Sequence, residues 1–545
     1  MKRISRIAAS AAAAVMLTAT AVPVVPSYAQ TYYVEQVALA GKTDVSKLTV
    51  SKIADQNYTG MSIKPKLTVK NGSATLKSGK DYTLSYKNNK RAGTATVTIT
   101  GKGKYTGKRQ ETFKIVYAKK GTNLPDLKVT NRIKFMAWYD VEDKDNEAQK
   151  LFRKQYGTPK NGSNVADKGN IFELVKVSYS DRLNKLTDMI KSDDSPDLFP
   201  YESGEFPYSA VTGRYQPLDS ILDFSNPIWK NTKSAMDELA LDGKHYCVFS
   251  ELQVGSLMFY RKSVIKEAGL DDPMKLYSKN KWTWDTFLDM ARAFKAKDKD
   301  NYVIDGYSCP DYFIGSTGTP LLGLDDGKLS LNVNSPEIER VADLLATLQK
   351  EDLRYPRHEL SGWTVNTRAW VNGNTLFYAN GGTWEYDTLN RYADKMGWKK
   401  TEIGVVPYPR DPQADKYYHL MQPSTVMWCK GSKNKNGVAA YLSCVAATTG
   451  SSTAKSSAKD AALESGWSSK NWDLVASLTS KLTPVIDMKN GIGADVSDPG
   501  SVDSNVQQLT DYVYIFGDSF EEIRKNNFDI INSRIDEINS VMNMA

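Results

Sequence analysis

From Arg132 to Tyr201 two kinds of apolar pattern take turns, and that alternation narrows the fold more than any other feature of the chain. "RIKFMAW" is a short apolar run and reads as a strand. Asp145 to Tyr156 carries Ala148, Leu151, Phe152 and Tyr156 on one helical face. "IFELVKVSY" reads as a second strand, and "SDRLNKLTDMIKSDD" as a helix with Leu183, Leu186 and Ile190 inward. Pro196 to Tyr201 supplies a third strand. Repeated strand–helix–strand units imply an α/β fold, a parallel sheet with helices on both faces. In such sheets ligands meet the chain beyond the carboxyl ends of the strands, which points to Trp138–Asp140 and Tyr201–Ser203.

The region before this has another grammar. "MKRISRIAAS" is basic, "AAAAVMLTATAVPVV" is apolar, and "SYA" precedes Gln30, so a secretory signal peptide cut after Ala29 is expected. A membrane anchor is the weaker reading, because the run is short. A lipid anchor would need a cysteine just after the cut, and the first cysteine is Cys247, so none is expected. The roughly 515 residues that remain suggest about three units. Residues 31–118 alternate apolar and polar positions in "KLTVSKI", "SIKPKLTVK", "DYTLSYK", "TATVTIT" and "ETFKIVY", with turn signals between them. Short strands at this spacing predict a small β-sandwich, and the phrasing resembles the Ig-like modules of Gram-positive surface proteins. "YTG" recurs at Tyr58 and Tyr105. "GKGKYTGKR" lacks Walker A spacing, since three residues rather than four separate Gly103 from Gly107, and it is read as a lysine-rich hairpin.

Charge separates the same two regions. Residues 31–118 hold 16 Lys and Arg against 5 Asp and Glu, a net +11, while the whole chain is +8. The segment beyond residue 118 is therefore mildly acidic. A basic module on a secreted chain is either a solvated surface or an attractor for polyanions such as wall teichoic acid or acidic glycans. Nucleic acid is not expected as a partner. "KKGTNLPDLKVTN" (residues 119–131) reads as the linker.

Enzyme signatures are missing. There is no HExxH and no GxSxG. The three histidines, His245, His358 and His419, have no metal partner at ligand spacing, so neither a metal nor another cofactor is expected. Four cysteines, Cys247, Cys309, Cys429 and Cys444, are too sparse for a disulfide framework and read as buried thiols, with one disulfide left open. Carboxylates are plentiful, so a paired-carboxylate glycoside hydrolase stays as an alternative, as does a wall-bound glycan adhesin.

Several ordered pieces beyond residue 132 resemble the family 1 extracellular solute-binding proteins, the sugar-binding components of ABC importers. They are "SYSDRLNKLTDMIKSDDSPDLF", "YQPLD", "LDGKHYCVFS", "MFYRKSVIKEAGLDDP", "WTWDTFLDMARAFK", "WVNGNTLFYANGGTW" and "VVPYPR". Arg261 stands where the family favours Asn, and Asn374-Thr375-Leu376 replace its small residues. The resemblance implies two α/β lobes joined by a hinge, the type II binding-protein fold, with ligand clamped between them. It places the first lobe at about 132–256 and 412–450, and the second at about 257–411 and 451–545. It also implies a sugar ligand and ABC permease subunits as partners, at the cell surface, and the several aromatic platforms named below suggest an oligosaccharide rather than a monosaccharide.

Two tryptophans follow threonines that suit a helix start. Trp284 sits on the stripe Trp284, Phe287, Leu288, Ala291 and Phe294, so it is expected in the core. Trp384 lies off the stripe Leu389, Tyr392, Ala393 and Met396, at a strand-to-helix corner where the family has a ligand-facing tryptophan. Glu385 and Asp387 suit the helix dipole there. The resemblance adds Tyr201, Glu202, Glu251, Gln253, Asp311 and Tyr312 as ligand contacts, beside Trp138 and Asp140 at the end of the first strand. Aromatic faces stack on sugar rings and fixed polar groups take the hydroxyls. The loop containing Trp467 is a further candidate for the cleft.

Overall fold

The strand–helix alternation beyond Arg132 is realised in the computed structural model as two main sheets, together with a two-stranded hairpin of Leu322–Asp325 and Lys328–Leu331. The structure describes residues 41–118, 122–141, 146–159, 170–200, 206–307, 309–360, 365–381, 383–492 and 502–544. The expected signal peptide, Tyr201 and Glu202 lie outside the described residues.

Two compact units are present. Of the described residues, the smaller holds 41–56, 64–89 and 93–115, and the larger holds those from Val116 onward with the short segments Asn57–Ile63 and Lys90–Ala92. The described residues of the smaller unit form short strands and one 3-10 turn, Val45–Lys47. Tyr82–Lys87, Gly93–Gly101 and Lys108–Val116 form an antiparallel set within a four-stranded sheet, and Thr49–Val50, Val69–Asn71 and Ala74–Thr75 form a second sheet. Inward positions of the alternation meet in a core of Val45, Leu48, Val69, Leu76, Tyr82 and Ile99. Thr100 pairs with Lys108, so the lysine-rich stretch is a hairpin connection and cradles no phosphate loop.

In the larger unit, β1 (Ile133–Ala137), β2 (Phe172–Lys176) and β3 (Leu198–Pro200) are parallel, in the order β2-β1-β3. Between them run α1 (Glu147–Tyr156) and α2 (Arg182–Lys191). Asn146 caps α1 in a reciprocal pair with Gln149, and Phe152 turns its ring into the core. In α2 the buried residues are Leu186 and Met189, with Leu183 and Ile190 packed partly against them. The chain then adds β4 (Cys247–Val254) to this sheet.

Between Val254 and Met258 the chain crosses to a second sheet. Its strands are β5 (Met258–Arg261), β6 (Tyr302–Asp305), β7 (Thr375–Tyr378) and β8 (Ile403–Val406), in the order β6-β7-β5-β8. It returns as β9 (Tyr418–Trp428), antiparallel to both β3 and β4. A late strand, β10 (Thr483–Val485), pairs with the start of β9, so the C-terminal part of the chain also contributes to the first sheet. The crossing is pinned by His419, whose Nε2 lies 2.8 Å from the Ser256 carbonyl. That ring is fully buried, and burial lowers its pKa to about 4, so it is neutral.

The second sheet is covered by α3 (Trp284–Lys295). Thr283 caps it, and Trp284, Phe287, Met290, Ala291 and Phe294 are buried. Trp284 is a core residue as its stripe implies, and its indole N–H donates to Ser316. Met290 joins that face, and Leu288 packs partly buried against the same core. All four cysteines are buried and free. Among the described residues no helix is long and apolar enough to cross a membrane.

Candidate functional site

The parallel strands of each sheet end at one edge, and the residues just past those ends build the candidate site. On the first sheet, β1 is followed by Trp138, Tyr139 and Asp140. Trp138 is half-buried and tilts against the buried Phe199 of β3, 6.1 Å between centroids. Asp140 is exposed. Edge-to-face contacts link Trp138 to Tyr139 and to Tyr179, both at 5.3 Å. Tyr179 lies in the turn after β2, and the Arg182 guanidinium stacks over its ring at 3.7 Å.

On the second sheet, β6 and β7 run parallel and end together, Asp305 beside Tyr378. Gly306 follows β6, and a Cβ there would sit 1.9 Å from the Ala379 carbonyl, so only glycine lets the two strand ends approach. Asp305 is buried and pairs with Arg357, Nε to Oδ1 3.2 Å, while the Asn366 amide donates to its other oxygen. Burial pushes the Asp305 carboxyl up to about 6 against the pull of Arg357. Arg357 also lies 4.9 Å from the ring centroid of the half-exposed Tyr307.

After β7 comes α4 (Thr383–Lys395), which begins at Thr383. Its buried stripe is Tyr386, Leu389, Asn390 and Ala393. Met396, expected on that stripe, is 53% exposed, because the helix ends at Lys395. Trp384 occupies a backbone position about 200° around the helix from Tyr386. Glu385 is buried and accepts from Asn380 at 3.2 Å, and burial raises its pKa. Asp387 accepts the Trp467 indole N–H at 3.0 Å. Trp467 stacks on Tyr386 at 4.0 Å and is 5% exposed, so it belongs to the core beneath this helix and not to an open cleft.

The remaining expected contacts fall elsewhere. Glu251 and Gln253 are on β4, where their backbones pair with Ser424 and Gln422 just after a register shift at Phe249. Asp311 and Tyr312 lie in the first turn of the helix Cys309–Gly315, in which every residue but Asp311 is buried. Asp311 forms an ion pair with the buried Lys489. Tyr312 is 3% exposed, with its ring stacked on Tyr408 at 5.1 Å and near His419, so in this conformation its faces are taken by protein. Side chains near the strand ends that sequence reasoning did not reach are Tyr179, Arg182, Tyr307 and Arg357, whereas Tyr139 lies inside the Trp138–Asp140 span it pointed to. Applied to every strand, the strand-end rule would have reached Tyr179 and Tyr307, but Arg357 lies about fifty residues beyond Asp305 and is brought to it only by the fold. Among the described residues no group of three or more His, Cys, Asp or Glu could hold a metal.

Residues 165–462 match the family model of bacterial extracellular solute-binding proteins, more than half of the chain. The chain belongs to that family. Solute-binding proteins capture ligands and are not enzymes. Solved structures share the two-lobed solute-binding fold at low identity. A cyclo/maltodextrin-binding protein complexed with maltotetraose superposes with a TM-score of 0.52 at 17% identity, covering 74% of this chain and 97% of that one. The GacH receptor of Streptomyces glaucescens gives 0.50 at 15%, covering 75% and 99%. The cyclic α-maltosyl-1,6-maltose binding protein of Arthrobacter globiformis gives 0.50 at 13%, covering 76% and 100%. No curated protein matches this solute-binding chain in sequence.

Proposed function

We propose that this solute-binding protein captures an oligosaccharide between its two lobes and delivers it to the permease of an ABC importer. The observation that carries this reading is the gathering of aromatic rings and fixed polar groups past the parallel strand ends of both sheets. Trp138 and Tyr139 follow a strand of the first sheet, and Tyr307 and the helix start at Trp384 follow strands of the second, which would make them the two walls of the cleft. The structurally similar cyclo/maltodextrin-binding protein is complexed with maltotetraose, an oligosaccharide, which agrees with the reading. The lobes would divide near Ser256 and near residue 411, where the chain changes sheet. Trp384 would stack on a sugar ring, with Asp140, Tyr201, Glu202, Glu251 and Gln253 taking hydroxyls. Asp311 and Tyr312 would take part only after the cleft rearranges, since both are engaged within the protein here.

The smaller unit we read as an Ig-like module that holds the secreted protein at a Gram-positive surface by attraction to anionic wall polymers. Lys64, Lys66, Lys70, Lys108 and Lys114 are all exposed on it.

The test is a glycan panel on the purified mature protein, read by thermal shift and by product analysis. A saturable rise in melting temperature without released sugar is expected, and Trp384→Ala should weaken that binding roughly ten-fold. Released product, or no shift with any glycan, would sink the reading.

A further inference from the structure

Two of the most exposed rings in the larger unit pack against the same tryptophan, Trp138. Tyr179 is 59% exposed and Tyr139 45%, although large apolar surfaces are usually covered. Both are braced from the core outward. Trp138 leans on the buried Phe199 and meets both tyrosines edge-on, at interplanar angles of 90° and 76°. Arg182 covers one face of Tyr179 and also donates from Nη1 to the Tyr179 carbonyl. The turn itself is tied down. Ser178 Oγ donates to Asp181 at 2.8 Å, and the Asp181 amide returns a bond to Ser178 Oγ at 3.1 Å.

A solvated Arg–Tyr stack would need neither the Trp138 brace nor the tied turn. Here one face of Tyr179 is occupied and its ring is held still, yet more than half its surface stays open. An immobilised ring loses little entropy when a ligand arrives. A flat, amphipathic face of this kind suits the apolar face of a pyranose, whose hydroxyls stay in water. Its place, past the ends of β1 and β2, puts it beside Trp138 and further from the crossing strands than the rest of that wall.

We infer that Tyr139 and Tyr179, braced by Trp138 and Arg182, form an outer subsite that stacks a terminal pyranose of a neutral oligosaccharide. This rests on the carbohydrate reading above and adds to it a preference for longer chains.

Calorimetry with malto-, cello-, xylo- and manno-oligosaccharide ladders, from disaccharide to hexasaccharide, tests it on the mature protein. In the ladder that the wild type binds, Tyr179→Ala should weaken the longest members about ten-fold, or about 1.4 kcal/mol. It should weaken the shortest members less, and Tyr179→Phe should restore the wild-type profile. Tyr139→Ala is the second variant, should Tyr179→Ala fail to fold. Equal loss at every length, or no loss, in a protein whose wild type binds overturns the subsite and leaves the carbohydrate reading standing. Failure of the wild type to bind any ladder overturns both.

Discussion

At the scale of single residues, His245 shows what a sequence hides. Its ring packs on Phe224 at 4.3 Å, with Nδ1 2.9 Å from Asp219 and Nε2 3.0 Å from Asp237. A neutral imidazole has one N–H and satisfies one of these carboxylates as donor, whereas the imidazolium satisfies both. Burial opposes the charge, but the bonds to Asp219 and Asp237 outweigh it and raise the His245 pKa. A raised folded pKa adds stability that is complete below the unfolded value of about 6.5 and is lost as pH rises through the folded value. His245→Gln should therefore lower the melting temperature more at about pH 5.5 than at about pH 8.5. An equal drop at both would refute the charged clamp. Nothing in "DGKHYCVFS" announces this, because Asp219 lies 26 residues away and is brought there by the fold. The same holds for Asp387. The first turn of a helix predicts its dipole role, but its partnership with Trp467 depends on a segment 80 residues on.

At the scale of elements, the sequence reading was strongest where one face of a helix or strand meets the core. The helix after Thr283 and the strands β1 to β3 were legible because period and burial agree. The segment around Asp311 was not. Its helix reads as a start facing a cleft, but the approach of the β10 connection fills that space with Lys489. Lys489 is 5% exposed and paired with Asp311, and Asp487 nearby accepts the Leu321 amide at 2.7 Å. Burial alone would discharge Lys489, but Asp311, Asp511 and Asp487 outweigh it and keep its pKa raised. Removing one member of a buried pair strands the other charge, which costs about 3–5 kcal/mol. Lys489→Ala should lose stability on that order in urea denaturation. Arg292→Ala, from the exposed pair with Glu351, should lose no more than about 1 kcal/mol. Similar losses from the two would mean that the Lys489 cluster is hydrated.

At the scale of the whole molecule, the charge contrast along the chain carries its own prediction. Purified cell walls should retain the mature protein at low salt and release it as salt rises, since exposed charges are screened over about 10 Å at 0.1 M. Deleting residues 31–118 should abolish that retention. Equal retention of the truncated chain, measured by co-sedimentation, would refute a wall-binding role for the basic module.

The sequence by itself determined the short strands of the smaller unit's described residues, the alternating α/β body and its order of elements. Each of these is written in local periodicity, where a residue's neighbours a few positions away decide whether its side chain is buried. It also determined where to look for the site, because parallel strands end where their crossovers begin. Which residues fill that site was decided only by the tertiary structure. Tyr179 comes to Trp138 because β1 and β2 lie in register, Ala137 beside Lys176. Trp467 and Tyr312 leave the candidate surface because distant segments, Tyr386 for one and Tyr408 for the other, close over their rings. Contacts between residues far apart in sequence leave no period to read, so burial at the strand ends becomes visible only once the chain has crossed between its two sheets.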